Sequence, residues 1–169
     1  MTESDRLKIE VSSEIGKLEA VLLHEPNEEV ENMTPRTVQR ALYSDILNLS
    51  IAKKEYEQLF NVLSLLAEVR AVKGQLLKVL DNPQAREDLI RRICLSEDAM
   101  HCYEALMSMS SNKLATVLIE GLPAKIDSLT SFLANEYYAL YPLYNFYFTR
   151  DASGSIGNRV LICHMANKV

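Results

Sequence analysis

Two apolar runs flank one long amphipathic segment between residues 18 and 73, and that arrangement limits the architectures open to the chain. Leu18-Glu19-Ala20-Val21-Leu22-Leu23-His24 has the length of a strand and is closed by Glu25-Pro26-Asn27, a composition that ends regular structure. Over residues 50–67, Ile51, Tyr56, Leu59, Phe60, Leu63, Leu66 and Ala67 recur at helical spacing, with Ser50 as the expected N-cap. Glu68-Val69-Arg70-Ala71-Val72 reads as a second strand, ended near Lys73-Gly74. A helix joining two strands predicts a β–α–β unit, a sheet with one helix-covered face, and an α/β (α+β) fold class. In the connection, Thr34 is placed to cap a helix with Pro35 at its first position. Residues 1–10 are polar and read as a frayed end or a leading strand.

From residue 75 to about 140 the pattern is helical throughout. Asp81-Asn82-Pro83 opens one helix, with Leu89, Ile90 and Ile93 on its apolar side. Ser96-Glu97-Asp98 is expected to open a second, its acids favourable to the helix dipole. Asn112 opens a third, closed by Gly121-Leu122-Pro123, and Asp127 or Ser128 opens a fourth that reaches Tyr141-Pro142. Four helices of similar size with short links predict a bundle, whose interior would take Met100, Met107 and Met109. The expected divisions are 1–74 for the β–α–β unit, 75–141 for the bundle, and 142–169 for two final strands, 143–151 and 158–165.

At 169 residues and 48% hydrophobic content the chain has enough apolar mass for a core. A net charge of −5 gives no basic footprint for nucleic acid. Three cysteines (Cys94, Cys102 and Cys163) without a Cys-x-x-Cys argue against a disulfide framework. The opening Met-Thr-Glu-Ser-Asp-Arg does not read as a signal peptide, and no apolar run approaches the length of a membrane span. The expectation is a cytoplasmic protein with no membrane partner.

The stretch richest in chemistry is Asn145-Phe146-Tyr147-Phe148-Thr149-Arg150-Asp151, followed by Ala152-Ser153-Gly154-Ser155. Aromatic residues favour a strand and the second run favours a turn. Alternation along that strand would set Asn145, Tyr147, Thr149 and Asp151 on one face and Phe146, Phe148 and Arg150 on the other. A polar face ending in a carboxylate suits a cationic polar substrate. Other constellations are weaker. Cys94, Asp98 and His101 fall at helical spacing that could suit a metal, but a helix start at Ser96 would break the face, so they read as helix residues. Cys163 and His164 are neighbours on one strand and point to opposite faces. His24 reads as a structural turn residue. No metal or cofactor is called for.

The stretch Asn145…Phe148-Thr149-Arg150-Asp151, then Ser155-Ile156-Gly157-Asn158, resembles the arginine deiminase family. So do Ser13-Glu14-Ile15-Gly16-Lys17-Leu18, Val21-Leu22-Leu23-His24-Glu25-Pro26 and Leu42-Tyr43-Ser44-Asp45-Ile46 near the start. The resemblance implies part of a pentein-type β/α propeller: a first ββαβ-like module and the start of a second, with an inserted helical bundle. It implies that the complete enzyme hydrolyses L-arginine to L-citrulline and ammonia through a covalent Cys intermediate. Asp151 stands where the family binds the guanidinium, Asn145 where it contacts the α-carboxylate region, and Asp45 in a loop near the substrate. Ser44 replaces a second acid, Tyr43 a common Phe, and Tyr144 a frequent Pro. Arg150 is given a supporting role. The family's nucleophilic Cys and its catalytic His have no counterpart in these 169 residues, so the chain alone is expected to be inactive. Two readings stay open: part of an enzyme completed by another polypeptide, or a non-catalytic module that binds a partner or a second copy through its bundle. An open strand edge at Val160-Leu161-Ile162-Cys163 would call for such a partner.

Overall fold

The structure is a computed structural model that describes residues 9–40, 43, 45–125 and 137–163. Strand β1 (Ala20–Leu23) pairs in parallel with β2 (Glu68–Ala71), in a register running from Ala20 opposite Glu68 to Leu23 opposite Ala71. Parallel neighbours need a long crossover. Here it holds the short helices α1 (Glu28–Glu31) and α2 (Pro35–Arg40) and the 18-residue α3 (Leu49–Leu66). The β–α–β unit expected from the periodicity is therefore present.

The cap of α3 is Asn48 rather than Ser50. The Asn48 side-chain oxygen accepts from the backbone N–H of Ser50 at 3.0 Å and of Ile51 at 3.2 Å. A side chain satisfies these orphan donors only from the position before the first helical turn, and Ser50 already lies within that turn. Thr34 does cap α2, accepting from the Thr37 N–H at 3.3 Å, with Pro35 in the first position. At its other end α3 passes through the extended Ala67 straight into β2.

Four helices follow: α4 (Val72–Leu80), α5 (Pro83–Ser96), α6 (Tyr103–Met107) and α7 (Ser111–Glu120). They close on a core that includes Leu80, Ile90, Cys94, Leu106, Leu114 and Leu118. Met107 and Met109 pack against it, while Met100 is exposed. Asn82 caps α5 through the N–H groups of Gln84 and Ala85, both at 3.1 Å. Ser110, not Asn112, caps α7. Arg86 reaches across from α5 and donates to the carbonyls of Leu106, Met107 and Met109, closing the end of α6.

Ser96-Glu97-Asp98 closes a helix instead of opening one. Glu97 is the C-cap of α5, Asp98 adopts φ +55°, and the Ala99 N–H returns to the Cys94 carbonyl at 2.8 Å. That six-to-one bond around a left-handed residue is the Schellman end. The position favours Gly, and Asp is among the residues that tolerate it.

Gly121 ends α7 at φ +92°, and a Cβ there would lie 2.9 Å from the Pro142 ring. It leads into β3 (Leu122–Pro123), antiparallel to β4 (Tyr138–Leu140). The expected fourth helix starts outside the described residues, and its expected end is this strand. The segment β5 (Ser153–Ile156) pairs antiparallel with β6 (Arg159–Ile162) around a two-residue loop, with Gly157 at φ +56°. Val11 bridges to Gly157. The described residues thus form three two-stranded sheets with a cluster of helices, a mixed α/β fold. No helix among them is long and apolar enough to cross a membrane.

Candidate functional site

The aromatic stretch Asn145–Asp151 is not a strand. Its backbone closes on itself in successive turns: Phe146 N–H to Leu143 C=O at 3.0 Å, Phe148 N–H to Asn145 C=O at 3.0 Å, and Asp151 N–H to Phe148 C=O at 3.2 Å. The rings of Tyr147 and Phe148 lie 4.1 Å apart, which consecutive residues of a pleated strand, pointing to opposite faces, could not achieve. The expected sharing of one face by Asn145, Tyr147, Thr149 and Asp151 lapses with the strand. The expected turn at Ala152–Ser155 is largely the strand β5. The cause lies in tertiary contacts, which override aromatic β propensity.

Those contacts dock the turns onto the end of β1. Thr149 donates its hydroxyl to the Leu22 carbonyl at 2.9 Å. Tyr43 donates its hydroxyl to the Tyr144 carbonyl at 3.0 Å. The His24 ring lies 4.9 Å from that of Phe146. Tyr144 is buried with Val30, Met33 and Val38 in a second small core. Burial, and after it the neighbouring Tyr147, pushes the Tyr43 phenol well above its ordinary range.

Beneath the turns lies a buried polar pair that the sequence did not reveal. His24 Nε2 and Glu29 Oε1 are 2.9 Å apart, and the two residues are 4% and 0% exposed. The same carboxylate oxygen accepts from the Asn27 N–H at 2.9 Å, while Oε2 has no hydrogen-bond partner among the described residues. The loop Glu25-Pro26-Asn27 folds α1 back over the strand end and brings position 29 under position 24. His24, expected as a turn residue, lies inside the fold rather than on a turn surface. Nearby, the Glu120 carboxyl is pushed up chiefly by burial; Lys73 opposes that shift, and Glu29 and Glu28 add to it.

A cleft of about 590 Å³ opens beside this cradle. Pro26, the loop Asp45–Asn48, one flank of α3 from Ile51 to Leu59, and Tyr147 line it. Its walls are mostly apolar, with Asp45 and Glu55 supplying carboxylates. Asp45 is exposed, and its Oδ1 accepts from the Ile46 N–H at 2.7 Å. Such a cleft suits a cation carried on an aliphatic stem. The structure therefore brings Asp45 together with the aromatic turns through Tyr147. Asn145 is half-buried, two residues from Tyr147, with its carbonyl taken by Phe148. Asp151 is exposed at the far end of the turns and is not on the wall of this cleft. Arg150 points elsewhere, 2.7 Å from Glu14 in an exposed pair.

The cysteines stand apart from this region. Cys94 is buried in the bundle, its thiol pushed up by desolvation, and Cys163 is exposed beyond β6. Asp98 lies past the end of α5 and His101 in the turn after it, so the three residues at helical spacing share no helix face. Among the described residues, no group of three His, Cys, Asp or Glu could hold a metal ion. His164 lies outside the described residues.

An arginine deiminase family model matches residues 39–169. The chain is 33% identical over 174 residues to an arginine deiminase of Limosilactobacillus reuteri, which covers 95% of this chain and 42% of the relative. It is 32% identical to an arginine deiminase of Streptococcus sanguinis, covering 93% and 42%. With one from Borrelia duttonii the identity is 33%, covering 95% and 43%. The chain thus spans less than half the length of the curated relatives it matches. A match that takes in nearly all of these residues, including both the cleft loop and the docked turns, shows that the chain belongs to the arginine deiminase family.

Proposed function

We infer that this chain forms the arginine-binding, N-terminal part of an arginine deiminase. The observation that carries the reading is the family match across residues 39–169, which spans Asp45 at the cleft and the turns holding Asn145 and Asp151. In this reading Asp151 grips the guanidinium of L-arginine. A carboxylate accepts two of its N–H groups in a fork, fixing the plane and localising the charge on the carbon to be attacked. Asn145 contacts the substrate's α-carboxylate region, and Asp45 lies near the substrate from the cleft loop. A thiolate from the complete enzyme adds to the guanidinium carbon. Ammonia leaves with a proton delivered by a His, and water then hydrolyses the thiouronium to free citrulline and the thiol.

None of the three cysteines here is assigned that role; Cys94 is a core residue whose buried thiol resists ionisation. The chain alone is therefore inactive in this reading. We take the fold to be part of a pentein-type propeller, with residues 1–74 as a first module, 75–141 as an inserted bundle, and 142–169 returning to the propeller. A cytoplasmic location accompanies it. The second reading, a non-catalytic module working through the bundle, draws on Leu95 and Met100, both exposed there.

The test pairs an intact-mass spectrum of natively purified protein with citrulline release from the same sample. The expected result is a second polypeptide and citrulline, and no citrulline from the isolated chain. Citrulline from the isolated chain, or none from any native assembly, would overturn the enzyme-part reading. In the active assembly, Asp151→Asn should lower turnover by roughly 100-fold or more with little change in stability. Near wild-type turnover would remove Asp151 from its role.

A further inference from the structure

Tyr43 stands two residues before Asp45, and Tyr144 immediately before Asn145. The two tyrosines are 101 positions apart, with the whole bundle between them, yet the Tyr43 hydroxyl donates to the Tyr144 carbonyl at 3.0 Å. The Tyr43 end is itself held. Its N–H returns to the Val38 carbonyl of α2 at 3.0 Å. Tyr43, Leu47 and Leu49 all pack against the small core of Val30, Met33, Val38 and Tyr144. Asp45 therefore lies on a short loop anchored on both sides. The Tyr43 ring also meets those of Tyr147 and Phe148, with centroids 6.4 and 6.1 Å away. Tyr147 shares the cleft wall with Asp45.

Apolar packing is non-directional, so by itself it would let the loop slide along the turns. A hydrogen bond between one donor and one acceptor sets the register. Burial, and after it Tyr147, raises the Tyr43 phenol well above its ordinary range, so the donor persists into alkaline solution. The other end of the turns is tied separately, by the Thr149 hydroxyl to the Leu22 carbonyl of β1 at 2.9 Å. Two hydroxyls thus hold two ends: Thr149 the end nearer Asp151, and Tyr43 the end that carries Asn145. Loss of the Tyr43 tie would loosen Asn145 against Asp45 and leave Asp151 seated.

We propose that Tyr43 is a positioning residue for the substrate: its hydroxyl fixes the spacing between the Asp45 loop and the segment that carries Asn145. The proposal rests on the enzyme-part reading for its substrate, but the tie itself is tested without it. Tyr43→Phe keeps the ring and removes only the donor. In the isolated chain, amide exchange read by NMR should quicken about fivefold at Phe146 and Phe148, with the amides of α5 and α7 unchanged. Tyr103→Phe, on the bundle, should leave Phe146 and Phe148 as in wild type. In the active assembly, Tyr43→Phe should raise the KM for L-arginine about fivefold and hold kcat within about twofold, because in this reading Asn145 and Asp45 bind the ground and transition states alike. Unchanged exchange at Phe146 and Phe148, or a uniform rise that includes α5 and α7, would overturn the proposal. So would a lower kcat at unchanged KM, the mark of a merely destabilised chain. Faster exchange confined to the turns, with no citrulline from any assembly, would keep the tie and sink the arginine reading.

Discussion

His24 and Glu29 show how a residue pair can be central to a fold and yet silent in its sequence. The strand ending at His24 was legible from its apolar run. The partner was not, because the contact depends on how Glu25-Pro26-Asn27 folds α1 back, and no periodicity encodes that path. Without His24 the buried Glu29 carboxylate would keep only the Asn27 N–H, so His24→Ala should lower stability by about 3 kcal/mol. Urea unfolding measures this, and a loss below about 1 kcal/mol would mean that the pair contributes little. Glu120 gives a prediction in pH. Its folded pKa is raised, chiefly by burial, so its favourable contribution is complete below the ordinary carboxylate range. That contribution is lost as pH rises through the raised value. Glu120→Gln should therefore flatten the acid side of the stability curve and be at least as stable as wild type at neutral pH. Thermal melts from pH 4 to 8 check the sign.

At the scale of elements, the segments with strong internal period were the ones the sequence disclosed. The β1–α3–β2 unit was readable because a long amphipathic run separates two short apolar ones. The helices α5 and α7 were readable from Asn82-Pro83 and from Gly121. Two elements were misread for definable reasons. Ser96-Glu97-Asp98 has the composition of an N-cap, but Asp98 instead takes the left-handed position of a Schellman end. Asp98→Gly should accordingly be neutral or stabilising by up to about 1 kcal/mol, and Asp98→Val should destabilise by roughly 1–2 kcal/mol. Equal effects of the two substitutions would argue against strain at this φ. The run Asn145–Asp151 has strand composition, yet its aromatic rings meet His24, Tyr43 and one another. Asp45 was singled out only through family resemblance, since a lone carboxylate in a loop has no periodic signature, whereas the 145–151 run drew notice from its own composition.

For the molecule as a whole, the packed interior and the bare exterior divide unevenly. The bundle encloses fully buried leucines and isoleucine, whereas α3 encloses nothing. The hairpin β5–β6 likewise presents Ile156, Leu161 and Ile162 to solvent. Contiguous apolar surface of this kind marks an interaction site. Ile162→Lys should therefore leave the stability of the isolated chain within about 0.5 kcal/mol of wild type while reducing its binding of a hydrophobic dye. A large loss of stability would mean that the hairpin face is already covered. The open strand edge expected at Val160–Cys163 followed from the family resemblance; β6 pairs with β5, and its four residues are exposed.

The bond from Thr149 to Leu22 joins positions 127 residues apart. Closing a loop of that size costs more chain entropy than closing the β5–β6 hairpin or the β1–β2 crossover, and contacts that distant slow a folding reaction. The turns can seat only on a strand end that already exists. In refolding, therefore, the helical bundle and the crossover should acquire protection first and the Asn145–Asp151 segment last. In the proposed reading, Asn145 and Asp151 therefore arrive after Asp45, which sits in the crossover, and an early, compact form of this chain would hold most of its structure while that part of the proposed site was still unformed.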